Sequence, residues 1–82
     1  MTEQELIAGV IGHDRIAIQF LVTKYQKNVI KTAHYFVGNM EDAEDLSQEV
    51  FIEVMRSLRK YQRLASLKTW MYRITVNKSL DF

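Results

Sequence analysis

The sequence predicts an all-α fold, a compact helical domain of three long helices preceded by a short N-terminal one. Three observations lead there. The chain has 82 residues and no proline, so no proline breaks a helix within it. Apolar residues recur at three- and four-residue spacing rather than alternating, which places them on one side of a helix turning about 100° per residue. Each such run is also preceded by a residue able to cap a helix.

The first helix is expected over Glu3 to Ile11. Thr2 caps it, with Glu5 three residues on in the capping-box position, and Leu6, Val10 and Ile7 turn inward before Gly12 ends it. Asp14 can then cap a second helix running to Gly38, with Ala17, Phe20, Leu21, Tyr25, Val29, Ala33, Phe36 and Val37 as its inward stripe. Lys24, Lys27 and Lys31 lie mostly off that stripe and read as solvated surface. Asn39 caps a central helix within Gly38 to Lys60, whose core face is Ala43, Leu46, Ser47, Val50, Phe51, Val54, Ser57 and Leu58. The segment from Tyr61 to Ala65 breaks the pattern without Gly or Pro. Ser66 is placed to cap a last helix through Phe82, with Leu67, Trp70, Met71 and Ile74 marking its buried side.

Composition excludes several classes of function. At this length and 48% hydrophobic content the chain forms one small domain with a single core, too short for a two-domain enzyme. With no cysteine there is no disulfide, thiolate nucleophile or thiolate zinc site. His13 and His34 are too few and too far apart for a metal site, and no cofactor is expected. No apolar run is long enough to span a membrane, and no signal pattern opens the chain, so a cytoplasmic protein is expected.

Charge is where the chain departs from an ordinary helical domain. Its net charge of +1 hides six acidic and no basic residues over 41–55, then seven basic and one acidic over 56–82. Solvated helix faces also segregate charge, but separation on this scale fits two partners of opposite sign. Glu41 and Asp42 complement the positive end of the central helix. Asp45, Gln48 and Glu49 lie one to two turns further in, beyond any capping role. Ile52 and Met55 put an apolar centre among polar neighbours that include Arg56, the pattern of a docking surface. General acid–base catalysis requires a concave, partly buried setting. A convex helix face without a nearby histidine does not provide one, so no enzyme is expected. Downstream, cations interleave with Tyr61, Trp70 and Tyr72. That pattern suits single-stranded nucleic acid, because cations meet phosphates and rings stack on bases. Core packing of Trp70 is the competing reading.

Two blocks in this order, DAEDLSQEVF at residues 42–51 and LRKYQRLASLKTWMYRI at residues 58–74, resemble region 2 of the extracytoplasmic-function (ECF) sigma factors of the sigma-70 family. The upstream stretch from Gly12 to Leu46 resembles the opening of the same family, so the likeness covers nearly the whole chain. The resemblance implies a bacterial transcription initiation factor that binds core RNA polymerase, recognises the promoter −10 element and helps open it. It implies docking on a coiled coil of the polymerase β′ subunit through Asp45, Leu46, Gln48, Glu49, Ile52, Met55 and Arg56. It also implies capture of an extruded non-template base by the loop of Tyr61, Gln62, Arg63, Leu64, Ala65, Ser66, Leu67 and Lys68, with Trp70, Arg73 and Asn77 facing or supporting the DNA. An anti-sigma factor is a further candidate partner. On this resemblance the 82 residues are region 2 alone, without the region 4 that reads the −35 element.

Two departures from the pattern stand out. Met71 follows Trp70 where primary sigma factors carry adjacent tryptophans, and the loop has no glycine. A helical protein-interaction module, whose basic half meets an acidic protein instead of DNA, is the alternative function.

Overall fold

The computed structural model describes all residues 1–82 and contains four α-helices: α1 (Glu3–Ile11), α2 (Arg15–Val37), α3 (Met40–Ser57) and α4 (Leu67–Leu80). A single 3-10 turn, Leu58–Lys60, follows α3. The long α2 is the spine, packing against α1, α3 and α4, while α3 and α4 also pack on each other and α1 leans on the 3-10 turn. The domain measures 35 × 25 × 17 Å.

Each helix begins where the sequence provides a local partner for its otherwise unpaired N–H groups. Thr2 and Glu5 form a reciprocal capping box, with the Glu5 amide donating to Thr2 Oγ1 at 3.1 Å and the Thr2 amide to Glu5 Oε1 at 2.9 Å. Asp14 accepts from the Ile16 amide, Asn39 from Asp42 and Ser66 from Thr69. Gly38 ends α2 at φ 81°, a left-handed conformation that a residue with a Cβ adopts only with strain.

Leu6, Val10, Leu21, Val50, Val54, Leu58, Leu67 and Met71 form the main core. A smaller cluster of Ala33, Ala43 and Leu46 closes the corner where α2 turns into α3.

Four details differ from the reading of the sequence. Phe20 and Phe36 are 41% and 39% exposed rather than inward. The buried residues of α2 step by four, from Ala17 through Leu21, Tyr25 and Val29 to Ala33, and a three-residue step from that line swings about 60° back onto the helix shoulder. The central helix is α-helical only to Ser57 before tightening into the 3-10 turn, and the last helix stops at Leu80. On α4, Trp70 and Ile74 are only half-buried, while Thr75 and Ser79 are buried. Their hydroxyls donate to the Met71 and Thr75 carbonyls at 2.9 and 2.7 Å, which removes the cost of taking them out of water.

Candidate functional site: an acidic face and a cationic loop

The acidic face lies on the solvent side of α3. Asn39 binds Asp42 at the cap, its amide side chain donating to Asp42 Oδ2 at 2.7 Å. Asp45, Gln48 and Glu49 are exposed one and two turns later, and their side chains make no hydrogen bond or ion pair within the chain. Ile52 follows on the same side, 50% exposed, while Met55 is half-buried against the core. Leu46 is corrected: at 2% exposure it belongs to the α2–α3 corner and lies beneath this face rather than on it. Its burial stabilises that corner by about 1.5–3 kcal/mol.

At the C-terminal end of α3, Glu53 gathers its surroundings. Its carboxylate accepts from the Ser57 hydroxyl and from Arg56 Nη1 at 3.4 Å, and Lys78 Nζ of α4 lies 4.0 Å away. The Ser57 hydrogen bond holds this carboxyl below the usual carboxylate range, with Lys78 and Arg56 acting in the same direction against partial burial.

The second half of the site follows the 3-10 turn. Tyr61 is half-buried and packs on the main core; its hydroxyl donates to the Ala65 carbonyl and its ring centroid is 5.1 Å from that of Trp70. Burial raises the Tyr61 hydroxyl above its ordinary value, and the Glu3 carboxylate adds to the shift. It is therefore a neutral donor at physiological pH. The loop from Gln62 to Ala65 is closed over five residues by this one bond. Arg63 sits at φ 60°, where the family-like loop has no glycine to take the left-handed conformation, and Leu64 projects with 89% exposure.

The turn, the loop and the first two turns of α4 border an open concavity of about 200 Å³, lined by Lys60, Tyr61, Gln62, Leu64, Trp70 and Arg73 with Ala65 at its wall. Two cations, an amide and two aromatic rings in tilted contact thus converge on one concavity, a combination that can hold an unstacked base while neutralising its backbone. Lys60 was missed by sequence reasoning, although the dense run of cations around it was the available signal.

Other expected residues are placed elsewhere. Leu67 is fully buried and is corrected to a core residue beneath the loop. Ser66 is engaged as the α4 cap, donating to Thr69 Oγ1 at 3.0 Å. Lys68 opens onto a separate cavity of about 140 Å³ between α2 and α4, beside Tyr25, Lys31 and Tyr72. Asn77 lines a groove on the α3 side with Glu53 and Lys78 rather than the loop cavity.

The four-helix domain thus carries an exposed acidic face on α3 and an aromatic, cation-flanked concavity at the start of α4. The sigma-70 region 2 family model matches residues 21–82, and the chain belongs to that family. It is similar to the RNA polymerase sigma-H factor of Pseudomonas aeruginosa, with 35% identity over 75 residues, covering 92% of this chain and 39% of the relative. The ECF RNA polymerase sigma-E factor of Escherichia coli K12 is 33% identical over the whole chain, which spans 42% of that protein. The chain thus spans well under half the length of these relatives. A solved structure of an engineered region 2 of sigmaE in complex with GTAAAA superposes with a TM-score of 0.87 at 33% identity, covering 99% of this chain and 84% of that one. No helix is long and apolar enough to cross a membrane.

Proposed function

We propose that this chain is the polymerase-binding and −10-reading domain of an alternative, ECF-type sigma factor, a cytoplasmic initiation factor that catalyses no reaction itself. Asp45, Gln48, Glu49, Ile52, Met55 and Arg56 dock on the coiled coil of the polymerase β′ subunit. Gln62 and Leu64, with Tyr61, Trp70 and Arg73 behind them, receive a base extruded from the non-template strand, while Arg63 meets a phosphate. Lys68 and Asn77 contact the strand outside the cavity, and an anti-sigma factor regulates the domain by covering one of these surfaces.

The observation that carries this reading is the loop concavity, in which Trp70 and Tyr61 lie in tilted ring contact and Lys60 and Arg73 bring cations to the same place. A base inside a duplex offers its pairing edge only after it is unstacked, at a cost of a few kcal/mol recovered in such a pocket.

Binding of short single-stranded oligonucleotides, GTAAAA against permuted sequences, tests the DNA half by fluorescence anisotropy. Association with purified core RNA polymerase tests the other half. Preference for the −10-like oligonucleotide together with polymerase association is expected. Stoichiometric binding to a helical protein, with no affinity for either polymerase or DNA, would establish the interaction-module alternative instead.

A further inference from the structure

Lys78 reads in the sequence as one of the mixed polar residues around α4, yet the fold turns it toward α3. Its ammonium lies 4.0 Å from Glu53, and with Glu49, Ile52, Glu53 and Arg56 it lines a groove of about 220 Å³ between α3 and α4. The loop cavity has no share in it.

The charges of this groove are ordered. Along α3, Glu49 comes first, half-exposed Ile52 next and Arg56 last, and Lys78 reaches in from α4 to Glu53, which lies between Ile52 and Arg56 in sequence. Glu53 cannot satisfy both cations. It is a single carboxylate that already accepts from Ser57, whereas Arg56 brings five N–H donors and Lys78 three. Donors and one unit of positive charge are left at that end of the groove. Asp45 and Glu49 leave negative charge unpaired at the other end.

We infer that the docking face extends across the α3–α4 groove to Lys78, and that its occupant is a helix of core RNA polymerase with the opposite charge order. That helix places basic side chains opposite Asp45 and Glu49, an apolar residue on Ile52 and carboxylates opposite Arg56 and Lys78. Asp45 and Arg56 are eleven residues apart on one helix, so the complementary charges on the occupant are separated by about 16 Å, or three turns. Apolar anchors between charged ends are how an amphipathic helix is held in a groove, and the charge order sets its direction. This inference rests on the polymerase-docking reading above.

The test compares the wild-type chain with Lys78→Gln, Lys78→Glu and Asp45→Lys, measuring affinity for purified core RNA polymerase and for a −10-like single-stranded oligonucleotide. Lys78→Gln keeps most of the side-chain stem, and helicity by circular dichroism verifies folding of every variant. Lys78→Gln is expected to weaken polymerase binding about two- to fivefold, the range of one exposed charge pair, and Lys78→Glu about tenfold, as attraction becomes repulsion. Oligonucleotide affinity is expected to stay unchanged in both. If Asp45→Lys weakens polymerase binding while both Lys78 variants leave it intact, the docking reading survives and the extension to Lys78 is overturned. If the folded variants all bind polymerase normally, the docking reading fails and the extension with it. Loss of oligonucleotide affinity with unchanged polymerase binding in Lys78→Gln would assign Lys78 to DNA and also overturn the inference.

Discussion

Tyr61 and Trp70 hold each other at the entrance to α4: their ring centroids are 5.1 Å apart with planes inclined at 37°. Because the Tyr61 hydroxyl is committed to the Ala65 carbonyl, both ends of this side chain are occupied before any base arrives. In the proposed reading Tyr61 is therefore a positioning residue for the loop, and exposed Gln62 and half-buried Trp70 are the residues that would meet a ligand.

Tyr61→Phe and Tyr61→Ala separate these roles. The phenylalanine variant loses only the hydrogen bond, which contributes about 0.5–1.5 kcal/mol. If the proposed reading holds, it is expected to lower the preference for GTAAAA over permuted oligonucleotides and to lower the melting temperature by a few degrees, less than the alanine variant does. The alanine variant also loses the aromatic contact with Trp70, worth about 0.5–1.5 kcal/mol beyond buried area. It should lower both preference and melting temperature. Trp70 is the only tryptophan, so its intrinsic fluorescence reports the loss of the ring contact in Tyr61→Ala and its retention in Tyr61→Phe. Equal, unchanged preference in both variants would remove Tyr61 from the site.

What could be read in advance was local. Thr2, Asp14, Asn39 and Ser66 cap the four helices as expected because a cap is decided within three residues of sequence. Gly38 ends α2 for the same reason. Burial of Thr75 and Ser79 was not legible, since their hydroxyls pair with carbonyls four residues back and hydropathy counts them as polar. The assignments of Lys78, Asn77 and Lys68 depended on how α4 rolls against α2 and α3, a tertiary fact that no window of sequence contains. Leu46 and Leu67 were drawn into the site by their neighbours in the family motifs, although the helical spacing already put both on core faces.

The crossing of α1 over α2 predicts a sensitive glycine. A Cβ at Gly9 would stand 2.6 Å from Ala17 Cβ, closer than packed atoms approach. Gly9→Ala gains up to about 1 kcal/mol of helix propensity, but the overpacking it forces costs about 1–3 kcal/mol. The variant is expected to be less stable than wild type in urea denaturation, whereas a second substitution, Ala17→Gly, should relieve the clash and recover part of the loss. Additive effects of the two substitutions would contradict the close approach.

Glu53 gives the domain a defined acid response. Its folded pKa is held below 4.5 by Ser57, Lys78 and Arg56, so the carboxylate contributes stability that is fully present above pH 4.5 and is lost as pH falls through the depressed folded value. The Glu53→Gln variant lacks this contribution. Its deficit in melting temperature relative to wild type is therefore expected to be constant from pH 7 to about pH 5 and to narrow below pH 4.5. A deficit that widens on acidification would reverse the sign of the assignment.

Arg63 brings together the two properties of the loop, its backbone conformation and its charge. At φ 60° it occupies the left-handed region, which costs a residue with a Cβ about 1–2 kcal/mol, and glycine at this position removes that cost. Arg63→Gly and Arg63→Ala both delete the cation, but only the glycine variant relieves the backbone. If Arg63 pairs with a phosphate, each substitution should reduce the slope of log affinity against log salt by about 0.7, the value for one phosphate on a single strand, and should do so for every oligonucleotide sequence. Thermal stability is expected to split them: Arg63→Gly should exceed Arg63→Ala, by less than the full strain because glycine also gains freedom in the unfolded chain. Anisotropy titrations at several salt concentrations and melting curves on the same samples provide both readings. A changed slope with identical melting would leave Arg63 as a phosphate contact without strain, and unequal slopes in the two variants would show that the loop conformation itself, rather than the guanidinium, governs the encounter with the strand.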